Sequence, residues 1–176
     1  MNPRSTTEHG VVVIVGNPSA ASRTLAAARL LGERLETLTA PGKGVVTLDL
    51  AELGPALLGW GDPSVGIALE QVRRARLVVV ASPTYKASIT GLCKLFLDQF
   101  GQDELAGVPA VPMMTGASAA HSLAVEVHLR PVLVEIGASC PTRGLYLSGD
   151  QIDDPAPAVE AWLETAAPVL ARLARS

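Results

Sequence analysis

Aromatic rings, thiols, clustered basic residues and long apolar runs are all sparse in this chain, and each shortage narrows what it is able to do. Two each of Trp, Tyr and Phe make up 3% of 176 residues, so a flat ligand clamped between stacked rings is not the expected binding mode. Lys and Arg total 14 against 17 Asp and Glu, a net charge of −3, and no basic block interrupts the sequence. Nucleic acid is therefore excluded as an expected partner. The longest apolar runs reach about seven residues, far short of the roughly 20 that cross a bilayer. The opening MNPRSTTEHG is polar and has no apolar h-region, so residues 1–10 are expected to form a disordered tail and the protein to be cytoplasmic. Cys93 and Cys140 stand alone, without a CxxC or a ligand-spaced His. They read as small buried apolar residues in preference to a redox pair or a metal site.

What is present is a hydrophobic fraction of 48% and a mean hydropathy of +0.32, enough for one substantial core and one domain, assigned to residues 11–176. Residues 11–15, VVVIV, form a β-branched run without alternation, as in a strand covered on both faces. Over 22–38, Leu25, Ala28, Leu31, Leu35 and Leu38 recur at helical spacing. The same logic predicts strands at 45–50, 77–81 and 108–114 and near 144–147, and helices at 65–74, 89–100 and about 121–137. A last helix carries Val159, Trp162, Leu163, Ala166, Val169, Leu170 and Leu173 on one face. Pro109 and Pro112 are poor ladder members within the fourth strand. Pro131, inside the 121–137 helix, predicts a bulge or break just before it. Five strands alternating with helices require right-handed crossovers and an all-parallel sheet with helices on both faces, in the flavodoxin-like order 2-1-3-4-5. In that order the loops after strands 1, 3 and 4 meet at the topological switch point.

The loop at 16–24, GNPSAASRT, offers Asn17, Ser19, Ser22 and Thr24 over the first turn of a helix whose free N–H groups and dipole attract an anion. There is no GxxxxGK[ST] for a triphosphate with magnesium and no GxGxxG for a pyrophosphate pressed on backbone. Hydroxyls with a single cation, Arg23, suit one terminal phosphate. The plainer alternative is that Ser22 only N-caps the helix and Ser19 makes a turn.

The stretch 82–98, SPTYKASITGLCKLFLD, leaves a buried strand and enters an amphipathic helix, at the sheet edge where ligands bind. Pro83 stiffens the turn, Thr84 and Tyr85 follow with a flat ring, and Lys86 adds a cation. This loop suits a flat, electron-rich heterocycle. Packing of Tyr85 in the core and solvation of Lys86 are the competing readings. The small residues of the third loop, Gly116, Ala117 and Ser118, let backbone N–H groups approach a ring edge where negative charge develops. His121 reads as a helix-terminus packing residue, Trp60 as a surface or interface residue, and Lys94 with Asp98 as an i to i+4 pair.

Three stretches, GNPSAASRT at 16–24, SPTYKAS at 82–88 and TGASAAHSLAVEVHLRPVL at 115–133, resemble the NADPH-dependent FMN reductases of flavodoxin-like fold, and most closely the alkanesulfonate type. The resemblance implies FMN and NADPH as cofactors, with hydride passing from nicotinamide to flavin and no side-chain acid or base needed. It places Asn17, Ser22, Arg23 and Thr24 on the phosphate, Asn17 standing where relatives usually have Ser. Pro83, Thr84, Tyr85, Lys86, Gly116, Ala117 and Ser118 then take the ring. It also implies a π-bulge around Val127 and His128, a homodimer or homotetramer, and a flavin-dependent monooxygenase as acceptor of reduced flavin. An FMN-retaining quinone or azo reductase is the alternative. A flavodoxin-like electron carrier fits less well, since such carriers are strongly acidic and rich in aromatics around the flavin.

Overall fold

A computed structural model of the chain describes residues 9–173. β1 (His9–Val15) begins two residues before the expected start, so His9 and Gly10 belong to the sheet; residues 1–8 of the expected tail lie outside the described residues. α1 (Arg23–Thr39), β2 (Val45–Asp49), the short α2 (Leu50–Leu53), α3 (Pro63–Arg73), β3 (Ala75–Pro83), α4 (Gly91–Leu97), β4 (Ala110–Gly116), α5 (Arg130–Glu135), β5 (Leu145–Ser148) and α6 (Ala156–Leu173) follow. The sheet is parallel throughout, in the order β2-β1-β3-β4-β5. This is the predicted order, and it puts the C-terminal ends of β1, β3 and β4 side by side.

Both faces of the sheet are covered, and the pleat sorts β1 between them. Val12 and Ile14 pack with Val65, Leu69, Phe96 and Leu133, whereas Val11, Val13 and Val15 pack with Leu25, Leu31, Leu35 and Leu170 from α1 and α6. All five β1 residues from Val11 to Val15 are fully buried. At ~25 cal/mol per Å2 of apolar surface, burying each such side chain contributes about 1.5–3 kcal/mol before chain entropy is counted.

The structure corrects several boundaries. β4 does contain Pro112, opposite Val80 of β3, but pairing with β5 starts only at Met113 and Leu145, so the proline sits where the outer ladder has not begun. Pro109 precedes the strand. α4 is shorter than its apolar periodicity suggested, because Thr90 caps it, accepting from Cys93 N at 3.0 Å, and the helix ends at Leu97. Beyond that end Phe100 still packs edge-on against Phe96, centroids 5.7 Å apart. The apolar face of α6 is narrower than its sequence implied, with Val169 and Leu173 exposed.

The helix expected at 121–137 is divided. A 3-10 turn, Ala119–His121, leads to a π-helical segment, Val125–Leu129, and then α5. The π segment ends where Arg130 N–H donates to Val125 carbonyl, one residue before Pro131. It contains both expected bulge positions, Val127 and His128. A clasp holds it in place: Arg130 bridges Glu126 and donates to the Cys140 carbonyl at 2.7 Å, while Glu126 accepts from Gly144 N at 2.6 Å. Among the described residues no helix is long and apolar enough to cross a membrane.

Candidate functional site

A cavity of about 430 Å3 opens where β1, β3 and β4 end, within the usual range for a small-ligand site. Its wall takes Asn17, Ser22, Arg23 and Thr24 from the first loop, Pro83, Thr84 and Tyr85 from the second, and Gly116 and Ala117 from the third. These are nine of the eleven residues predicted for the site. Ser19, Thr115 and Ile152 complete it.

The first loop is built by its own side chains. Asn17 accepts from Ser19 N at 3.0 Å through Oδ1 and donates from Nδ2 to Thr24 Oγ1 at 3.3 Å. Ser22, in extended backbone, caps α1 by accepting from Leu25 N at 3.2 Å. The capping role and the anion-site role are compatible, because the cap satisfies Leu25 and leaves the first-turn N–H groups of Arg23 and Thr24 with no acceptor inside the helix. Thr24 is buried, and its hydroxyl meets that of Thr115 at 2.8 Å. Arg23 is the one cation lining the cavity among the described residues, and it is bound to Asp153 at 3.0 Å.

The second loop is fixed from below and bent sharply above. Thr90 donates to the Gly16 carbonyl, its backbone N–H donates to Ser82 Oγ at 3.1 Å, and Thr84 N donates to the Thr115 carbonyl at 2.6 Å. Gly16 permits this approach: a Cβ there would lie 2.4 Å from Cys93 Cβ. Tyr85 and Ser88 exchange backbone hydrogen bonds at 2.9 and 3.1 Å across a two-residue turn, with Lys86 and Ala87 both at positive φ. That turn exposes Tyr85 to 51%, so it is a wall of the cavity and not a core aromatic. The same turn carries Lys86, expected at the site, as an exposed residue outside the cavity lining.

Ser118, also expected at the site, stands outside the lining too. Its hydroxyl accepts from Ala120 N at 3.1 Å and its carbonyl accepts from Tyr146 Oη at 2.9 Å, which makes it the anchor of the third loop and not part of the lining. Tyr146, unanticipated from the sequence, sits directly behind Gly116, where an added Cβ would meet its hydroxyl at 2.1 Å. Ser19 was in view as a loop hydroxyl, and Thr115 opens the third stretch. Nothing in the sequence pointed to Ile152, which reaches the cavity from the 3-10 turn after β5.

The cavity is therefore polar at the α1 end and lined by small residues and one ring at the other. Thr84 Oγ1 is buried there with no hydrogen-bond partner among the described residues. Burial pushes the Cys93 thiol up to about 12, in keeping with its place as a fully buried packing residue beside Gly16.

A parallel sheet in this order, with a cavity at the ends of β1, β3 and β4, defines a flavodoxin-like fold with a site at its topological switch point. The sequence pattern of the family described as NADPH-dependent FMN reductase matches residues 10–152. The Pseudomonas putida protein named NADH-dependent FMN reductase SfnF is 34% identical over 148 residues, 81% of this chain and 79% of its own. The FMN reductase (NADPH) of Escherichia coli (strain K12) is 30% identical over 147 residues, 82% of this chain and 75% of its own. The apo crystal structure of the NADH:FMN oxidoreductase EMOB superposes with a TM-score of 0.73 at 30% identity, over 88% of both chains. The chain belongs to the NADPH-dependent FMN reductase family, and is thus an oxidoreductase served by FMN and NADPH.

Proposed function

We propose that the α1 end of the cavity holds the FMN phosphate and that the slot between the second and third loops holds the ring. The observation that carries this reading is the convergence of Asn17, Ser22, Arg23, Thr24, Pro83, Thr84, Tyr85, Gly116 and Ala117 on one cavity. FMN supplies the hydride chemistry when bound. The chain's part is to bind and orient. Arg23 and the first-turn N–H groups of α1 fix the phosphate, Tyr85 and Pro83 flank the ring, and the third-loop backbone, held by Tyr146, meets its polar edge. No Asp, Glu, His, Lys or Cys lines the cavity among the described residues, which agrees with a reaction that needs no side chain to exchange a proton near neutral pH. Steady-state oxidation of NADPH with FMN, FAD and riboflavin tests the assignment. FMN is expected to be preferred, and equal rates with all three would show that the first loop does not read a phosphate.

The reduced flavin is released to a separate flavin-dependent monooxygenase in this reading. One exposed ring and a run of small residues give modest stacking area, which suits exchange more than permanent retention. A nanomolar FMN dissociation constant would instead favour the quinone or azo reductase alternative. The protein works in the cytoplasm as a homodimer or homotetramer. A groove of about 440 Å3 between α4 and α5 is lined by Leu97, Phe100, Pro131, Val132 and Ile136 together with Lys94, Asp98, Gln102 and Glu135, and Leu95, Val127 and Val134 of α4, the π segment and α5 are exposed. Exposed apolar side chains on these neighbouring elements support an interface here. Light scattering is expected to give a multiple of 18.2 kDa, and a monomer at micromolar concentration would remove the oligomer from the proposal.

A further inference from the structure

Arg23 has two anions to choose between. Its guanidinium donates to both carboxylate oxygens of Asp153, at 3.0 and 3.3 Å, across 130 positions of sequence. Asp153 ends the 3-10 turn Gly149–Ile152 that follows β5, and its neighbour Ile152 lines the cavity. The carboxylate therefore stands at the phosphate end of the cavity, on the one cation that lines it among the described residues. It lies one residue beyond the stretch that matches the family pattern. Both side chains are mostly exposed, 68% and 61%, so the pair is held weakly and is free to open.

We propose that Asp153 is a built-in competitor for the phosphate: it occupies Arg23 when no phosphate is present, must yield the guanidinium when FMN binds, and so sets FMN affinity low enough for the reduced cofactor to leave. This rests on the placement of the phosphate at Arg23 given above. A phosphate that enters this end meets a cation whose donors are already taken by a carboxylate, and has to displace that carboxylate to use them. Riboflavin, which lacks the phosphate, is indifferent to both. Asp153 is thus an affinity-setting residue that acts through Arg23 and not on the reacting ring.

The test is fluorescence titration of the full chain with FMN and with riboflavin, for wild type, Asp153→Asn, Arg23→Gln and the double variant. Asp153→Asn is expected to tighten FMN about two- to fivefold, the scale of one exposed ion pair, and to leave riboflavin unchanged. In the Arg23→Gln background the same substitution is expected to give no gain, because the cation being competed for is gone. Unchanged or weakened FMN binding in Asp153→Asn overturns the inference, as does a gain that persists without Arg23. Equal wild-type affinity for FMN and riboflavin overturns it too, and identifies the phosphate placement itself as the fault.

Discussion

The hydroxyls of Thr24 and Thr115 lie 2.8 Å apart, joining the first turn of α1 to the end of β4. One proton bridges them, and each hydroxyl carries only one. With Asn17 also donating to Thr24, one hydroxyl proton of the pair is left over for a ligand in the cavity that both residues line. The pair therefore ties two loops together and presents a donor. Thr24→Val keeps the shape but strands the Asn17 amide and the Thr115 hydroxyl. It is expected to cost about 1–3 kcal/mol in denaturant unfolding and to weaken FMN binding, while Thr24→Ser retains most of both. Wild-type stability in Thr24→Val would show that the contact carries no weight.

Ser22 separates capping from phosphate binding. Ser22→Ala removes the bond to Leu25 N and is expected to cost about 1 kcal/mol of stability. Ser22→Asp is an equally good cap but places a carboxylate at the anion end. Thermal unfolding of Ser22→Asp should match wild type, with FMN bound more weakly and riboflavin as before. If both ligands weaken alike, the first loop is a structural turn and not a phosphate cradle.

At position 116, any side chain collides with Tyr146. Gly116→Ala puts a Cβ 2.1 Å from Tyr146 Oη and 3.2 Å from Thr84 Oγ1. Overpacking of this kind costs about 1–3 kcal/mol, and here it also displaces the loop that meets the ring. FMN and riboflavin are both expected to bind more weakly, in contrast to the Ser22 series. Tyr146→Phe added to Gly116→Ala relieves the hydroxyl contact and should recover part of the stability. No recovery would mean that the strain lies elsewhere.

Acid sensitivity should trace to the clasp on the π segment. The hydrogen bond from Arg130 holds the Glu126 carboxyl below its usual 4.5, assisted by Gly144 N–H and opposed by burial. A group whose folded pKa is depressed contributes stability that is present in full above the unfolded value and is lost as pH falls through the folded one. Urea midpoints measured from pH 7 down to pH 3 are expected to fall more steeply below about pH 4.5 for wild type than for Glu126→Gln. Parallel curves would remove Glu126 from the acid response.

The strands were legible because Val11, Val12, Val13, Ile14 and Val15 have no polar face to offer, and only a doubly covered parallel strand accommodates that. The site was legible in outline because a flavodoxin-like strand order forces the three loops together whatever their chemistry. Features that depend on distant partners were not. Lys86 reads as a site cation until the Tyr85–Ser88 turn, with two residues at positive φ, carries it away from the cavity. Ile152 lines the cavity, and Asp153 and Tyr146 hold Arg23 and Ser118 of the loops around it, from β5 and the turn after it, a region with no motif of its own. The length of α4 was overread because Ile89 and Phe100 are apolar for packing beyond the helix ends, a pattern that periodicity does not distinguish from helix.

The clearance beneath the first loop binds the history of two positions together. Gly16 lies so close to Cys93 that the backbone of β1's end and the side chain of α4 share one small volume. Alanine at 16 would put its Cβ 2.4 Å from Cys93 Cβ and 2.9 Å from Cys93 Cα, so it requires both loss of the side chain at 93 and a shift of the α4 backbone that carries the Thr90 contact to the Gly16 carbonyl. The two sites should consequently drift as a pair, with small residues retained at both wherever the Thr90 contact is kept.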